Sequence, residues 1–320
     1  MLTFGPIPSR RLGRSLGINN IPVKNCTYSC VYCQLGHTSE KNFERRAFYE
    51  PENIVNDVKK KINKVKETGE TIDYLTFVPD GEPTLDINLG NEIDLLKHLG
   101  IKIAVITNSS LIWIPEVQKD LTKADLVSLK VDSTKKSIWH SINRPNEKLQ
   151  LTSILESAID FSRTYDGKLI TETMLIKNVN DSENSIEEIS NFISQLKPSI
   201  AYLSIPIRPP AEKWVGPPDE EIINHAYQIF SEKIKNVEYL IGYEGNAFAF
   251  SGNVEEDLMS IMAVHPMRKE AIDNFLIKAN SDWHIIKNLL SKNKLIQLSY
   301  QGNEFYMRKL EVNLSKDSKV

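Results

Sequence analysis

From residue 51 onward, short apolar runs alternate with longer stretches whose apolar positions recur every three or four residues. The clearest helical stretch is 51–69. It opens on Pro51, closes on Gly69, and gathers Ile54, Val55, Val58, Ile62 and Val65 on one face opposite a lysine-rich one. Further helices are predicted over 88–98, 115–121, 147–165, 182–196 and 218–234. Between them, 73–78, 102–107, 126–131, 169–177 and 201–206 read as strands, and 15–23 as a first one. Ahead of it, residues 4–17 are rich in turn formers, and Pro6 and Pro8 disfavour helix. Six strands, each followed by a helix, argue for an α/β fold with a parallel sheet, closing as a partial, open (βα)6 barrel.

The pattern changes past residue 245. Gly242 to Asn246 punctuate the chain; helices are predicted over 254–263, 268–278 and 283–292, then strands over 295–300 and 304–309 about Gln301-Gly302-Asn303. That order matches a winged helix-turn-helix. The expected division is a barrel domain 1–245, a small winged-helix-like domain 246–312 and a polar tail 313–320. Residues 264–320 carry ten Lys and Arg against six Asp and Glu. Such modules contact nucleic acid through their third helix, or else contact protein or substrate. Lys287, Lys292 and Lys294 are the residues to test for nucleic-acid contact.

Composition narrows the class. With 41% hydrophobic and 25% charged residues over 320, this is an ordinary soluble globular chain. No apolar run nears the roughly 20 residues of a membrane span, and the N-terminus lacks a signal pattern. A net charge of −3 is too mild to announce a nucleic-acid or membrane partner. The chain has three cysteines, none spare for a disulfide, which fits a reducing cytoplasm.

All three, Cys26, Cys30 and Cys33, fall within eight residues. Three crowded thiolates look like ligands of one metal centre. Two centres fit the count: a four-iron, four-sulfur cluster with one iron left open, or a zinc ion completed by His37. The Cys-x3-Cys-x2-Cys spacing, with Tyr32 just before Cys33, resembles the signature of the radical S-adenosylmethionine (radical SAM) superfamily. The resemblance implies the same partial barrel, a cluster on the three cysteines, SAM chelated to the open iron, and Tyr32 beside the adenine. Residues 79–85, Pro-Asp-Gly-Glu-Pro-Thr-Leu, resemble the family's Gly-Gly-Glu motif, so Gly81, Glu82 and Pro83 are expected at the SAM ammonium. Asp80 departs from that motif by replacing its first glycine.

Other candidates follow the predicted strands, where parallel barrels gather their chemistry. Asn108, in Thr107-Asn108-Ser109-Ser110, is expected near SAM, or else as a helix cap. Alternation puts Ser128, Lys130 and Asp132 on one face. Lys130 is a candidate for the SAM carboxylate and Asp132 for a ribose hydroxyl; the competing reading pairs the two. The loop 140–145 offers Asn143 and Arg144, and Arg10, Arg11 and Arg208 are further candidate substrate contacts. Glu172 and Met174 lie in the fifth predicted strand without an assigned role.

The resemblance implies one-electron cleavage of SAM to a 5′-deoxyadenosyl radical that abstracts hydrogen from a small-molecule or RNA substrate, with ferredoxin or flavodoxin as electron donor. The opening Gly-Pro-Ile-Pro-Ser-Arg-Arg-Leu-Gly and the Asp-Gly-Glu-Pro-Thr-Leu stretch are similar to proteins grouped with the wyosine-base synthases, which modify a guanosine of tRNA. Those synthases use a second cysteine set, and this chain has no further cysteine, so tRNA modification is one substrate reading among several. Two other classes stand beside the enzyme: an iron–sulfur regulator that binds nucleic acid, and a structural zinc protein.

Overall fold

The computed structural model describes residues 2–241, 248, 250, 252–264 and 266–309. The predicted punctuation at 242–246 and the tail 313–320 fall outside the described residues. In chain order the first part runs β1 (Thr3–Ser9), β2 (Gly13–Ile18), α1 (Pro51–Glu67), β3 (Tyr74–Phe77), a 3-10 turn (Pro83–Leu85), α2 (Leu89–Lys97), β4 (Lys102–Thr107) and α3 (Pro115–Leu121). It continues with β5 (Leu126–Lys130), α4 (Lys136–Asn143), α5 (Leu151–Thr164), β6 (Lys168–Met174), α6 (Glu183–Leu196), β7 (Ile200–Ser204), α7 (Glu220–Lys233) and β8 (Val237–Leu240). β1 to β8 form one sheet in sequential order, antiparallel between β1 and β2 and parallel from β2 to β8. The sheet curls into a half-barrel.

The six predicted strand–helix repeats are present as β2 to β7 with their helices. Two strands are added, one at each edge. β1 was read as a turn-rich lead-in because of Pro6 and Pro8; an edge strand tolerates proline, since one side of its backbone needs no ladder donor. β8 is only four residues long. The stretch 140–145, read as a loop, begins inside α4, which Arg144 ends in a left-handed conformation at φ 45°.

The helices pack outside the sheet. On α1, Ile54, Val55, Val58, Ile62 and Val65 are buried, each contributing about 2 kcal/mol by leaving water. They join the large core with Leu75, Phe77, Val105, Val127 and Leu129. The inner face changes character along the strands. Leu12, Ala104, Leu126, Ile170 and Tyr202 pack together inside the curl, near where the strands begin. Lys130 and Glu172, later on the same strands, replace them with charge.

Residues 254–308 run α8 (Val254–Val264), β9 (Met267–Arg268), α9 (Lys269–Lys278), α10 (His284–Ser291), β10 (Leu295–Tyr300) and β11 (Asn303–Arg308). β9, β10 and β11 form a separate antiparallel sheet in the order β10-β11-β9. The core of this part contains Leu258, Ile261, Phe275, Leu289 and Tyr306, together with Phe4 and Ile7 of β1. β1 therefore serves two structures, closing one edge of the half-barrel and walling the C-terminal core.

Candidate active site

The cysteines lie on the long segment between β2 and α1, and backbone hydrogen bonds clamp it from two sides. The Lys24 N–H donates to the Asp80 carbonyl at 2.8 Å and the Glu82 N–H to the Asn25 carbonyl at 2.9 Å, tying it to the end of β3. The Ser29 and Val31 N–H groups donate to the Asn143 and Ile142 carbonyls at 3.0 and 2.9 Å, tying it to the end of α4. Gly81 is needed for the first clamp. A Cβ there would sit 1.9 Å from the Asn25 oxygen.

Cys26, Cys30 and Cys33 are free thiols lining one open cavity of about 340 Å³ inside the curl. Each sulfur has a nitrogen donor. Asn108 Nδ2 is 3.5 Å from Cys26 Sγ, Asn143 Nδ2 is 3.4 Å from Cys30 Sγ, and Lys24 Nζ is 3.9 Å from Cys33 Sγ. Burial pushes the Cys26 thiol well up and the Cys30 thiol up to about 12. Both are neutral when free, so a metal centre would displace their protons on binding.

Behind the thiols the polar groups are cross-braced. The Tyr32 hydroxyl and Asn143 Nδ2 donate to Asp132 Oδ2 at 2.6 and 2.8 Å, and the Met174 N–H donates to Asp132 Oδ1 at 2.9 Å. Lys130 stands opposite Glu172 in the β5–β6 register and pairs with it at 2.7 Å, not with Asp132. Arg11 pairs with the other Glu172 oxygen. Burial alone would raise Glu172, but Lys130 and Arg11 hold it down at about 2. For Lys130, burial works against the charge, yet Glu172 and Asp132 raise its pKa and keep it protonated. Its ammonium lies 5.0 Å from the Tyr32 ring centre.

Of the residues expected around SAM, Tyr32, Gly81 and Lys130 line the cavity. Glu82, Pro83, Asn108 and Asp132 stand behind it. Glu82 does not present a free carboxylate: Oε1 accepts from Thr84 N, Thr84 Oγ1 and Thr107 Oγ1 at 3.1, 2.6 and 2.6 Å, and Oε2 from Asn108 N at 2.7 Å. It is buried at the start of the 3-10 turn and braces Asn108. The Pro83 carbonyl accepts from Asn20 Nδ2 at 3.2 Å. Asn108 also caps its own turn, accepting from the Ser110 N–H at 2.9 Å.

Among the arginines, Arg11 and Arg208 line the cavity. Arg10 is exposed and donates to the Tyr239 carbonyl at 3.3 Å, while Arg144 pairs with Glu212 at 2.6 Å. His37 lies 3.8 Å from Glu212. Sequence reasoning missed Lys24 and left Glu172 without a partner. Glu172 becomes visible only once the register opposes it to Lys130.

The Radical SAM superfamily profile matches residues 20–192, more than half of the chain and the whole stretch from the cysteine loop to α6. The chain belongs to the radical SAM superfamily. As a whole, this radical SAM protein is 51% identical over 321 residues to a UPF0026 protein of Methanocaldococcus jannaschii, covering 100% of this chain and 98% of that one. Among solved structures, it matches a radical SAM methyltransferase from Sphaerobacter thermophilus at a TM-score of 0.56 and 18% identity, over 71% of this chain and 66% of that one. TYW1 with a lysine–pyruvate adduct bound matches at 0.56 and 16%, over 70% of this chain and 76% of that one. The radical SAM fold is shared with both. No helix among the described residues is long and apolar enough to cross a membrane.

Proposed function

We propose that this protein is a SAM-cleaving enzyme in which Cys26, Cys30 and Cys33 each ligate one iron of a four-iron, four-sulfur cluster and leave the fourth iron to SAM. The observation that carries the reading is the set of three thiols lining one cavity, each with a nitrogen donor at its sulfur. Thiolates of a cluster accumulate negative charge, and N–H donors stabilise it. A cluster held by Cys26, Cys30 and Cys33 would supply the one electron needed to cleave SAM reductively to methionine and a 5′-deoxyadenosyl radical, the species that would take hydrogen from the substrate.

The chain's own residues bind, orient and shield. Lys130, kept charged by Glu172, offers a cation to the SAM carboxylate. Asp132 fixes Tyr32 through its hydroxyl, so the ring presents a set face to the cavity. Glu82 acts through Asn108, holding its backbone so that its amide meets Cys26. An electron donor of the ferredoxin or flavodoxin type completes the scheme.

The test is an EPR spectrum of anaerobically reconstituted, dithionite-reduced protein with and without SAM. A reduced-cluster signal that changes on adding SAM is the expected result. A cluster signal indifferent to SAM would favour an iron–sulfur regulator, and bound zinc without iron would overturn the cluster assignment.

A further inference from the structure

Beside the thiol-lined cavity, and sharing Arg11, Val78 and Asp80 as wall, lies a second chamber of about 190 Å³ that no cysteine lines. Its walls include Phe4, Ile7 and Pro8 of β1 and Val78 just past β3, all apolar. Buried polar atoms in this wall without a hydrogen-bond partner among the described residues include Asp80 Oδ1 and Arg11 Nε. Asp80 is 4% exposed, and its side chain makes no hydrogen bond or ion pair with a described residue. Its backbone is held by Lys24, so its placement does not depend on its carboxylate. Burial pushes that carboxyl up to about 7 even though Lys24 and Arg308 pull it down. A buried acceptor left open is costly, about 1–3 kcal/mol by mutational measure, unless a ligand fills it.

The charges around the two spaces limit that ligand. Among the described residues, Lys24, Arg11 and Lys130 face them against Asp80 and Glu172, an excess of cations. A simple amine would meet net repulsion. A ligand with both an amine and an oxyanion satisfies every term, the amine at Asp80 and the oxyanion at Arg11.

We propose that the chamber beside the cysteine cavity is the substrate subsite, and that it takes a zwitterion, with Asp80 receiving its ammonium group and Arg11 its carboxylate or phosphate. This rests on the proposed function only in giving the cysteine cavity to SAM. The departure from the Gly-Gly-Glu pattern at Asp80 then has a purpose: it adds a carboxylate where the neighbouring chamber can use it.

The experiment is calorimetry on reconstituted protein saturated with SAM, with glycine, β-alanine, 4-aminobutyrate, 6-aminohexanoate and 2-aminoethyl phosphate as probes, against butylammonium and butyrate. At least one zwitterion should bind tenfold tighter than either half-probe; the phosphate and carboxylate members distinguish the two oxyanions. Asp80→Asn should reduce it to the affinity of butyrate, and Arg11→Gln to that of butylammonium, with SAM affinity and iron content unchanged in Asp80→Asn. The proposal fails if no zwitterion exceeds its halves, if the zwitterion competes with SAM, or if Asp80→Asn loses SAM instead. Wild-type protein that binds no SAM would sink the proposed function, while the same probe series without SAM would still judge the chamber.

Discussion

Lys24 and Gly81 lie on opposite sides of the first clamp and illustrate two kinds of constraint. Lys24 adopts a left-handed backbone at φ 66°, which turns its side chain toward Gly36 O at 2.5 Å and Cys33 Sγ at 3.9 Å. A cation there would stabilise the more negative, reduced state of the proposed cluster. Lys24→Met is therefore expected to lower the midpoint potential by roughly 60 mV, equivalent to about 1.4 kcal/mol for one electron. A redox titration followed by EPR checks it; an unmoved potential would remove Lys24 from the sulfur. Gly81 is a steric matter. Gly81→Ala should destabilise the fold by about 3 kcal/mol, because the new methyl meets a backbone oxygen that cannot retreat without opening the clamp. Urea unfolding would measure the loss, and a cost under about 0.5 kcal/mol would show that the segment yields. The cysteines and Gly81 were legible because short-range spacing encodes them. The saturation of Glu82 was not, since two of its four donors, Thr107 Oγ1 and Asn108 N, come from another strand's end.

At the level of elements, α2 carries a group that makes stability depend on pH. Glu92 is fully buried near Asp86, and neither of its carboxyl oxygens has a hydrogen-bond partner among the described residues, which disfavours its charged form. Burial first, and then the Asp86 charge, push Glu92 up to about 9. The folded state thus keeps a proton that the unfolded chain releases near pH 4.5. Its contribution is complete below that pH and drains away as pH rises toward 9, by up to about 1.4 kcal/mol per pH unit. Glu92→Gln should unfold at a higher temperature than wild type, by a margin that widens from pH 5 to pH 9. Parallel melting curves across that range would exclude a proton retained on Glu92. Strand edges mark where sequence pattern lost its grip. β2 ends at Ile18, short of the predicted 23, because the chain leaves the sheet to enter the cysteine segment. β4 matches its predicted bounds because burial on both faces makes its pattern unambiguous, and α3 does so because Pro115 sets its start.

Over the whole molecule, the half-barrel and the C-terminal part are joined by charge as well as by β1. Lys61 of α1 and Asp257 of α8 form a buried pair at 2.8 Å. Lys278 pairs with Glu70, and the Tyr300 hydroxyl donates to the Pro206 carbonyl at 3.1 Å beside the cavity mouth. Asp257→Ala removes one half of this buried ion pair and should cost about 3 kcal/mol, read as a lowered thermal midpoint. Adding Lys61→Met should recover most of it; a double variant as unstable as the single one would show that the pair is not the cause. No sequence periodicity could announce this pair, whose members are 196 positions apart.

The shared strand also orders events during synthesis. β1 is translated before every other element of this fold, yet Phe4 and Ile7 belong to a core completed by Leu289, Leu295 and Tyr306 of the elements that come last in it. Until those emerge, β1 can pair with β2 but shows an apolar face to water on the edge of an unfinished sheet. A nascent chain stalled after β8 would carry that edge exposed, and the folding of α8 to β11 against it is the step that covers it.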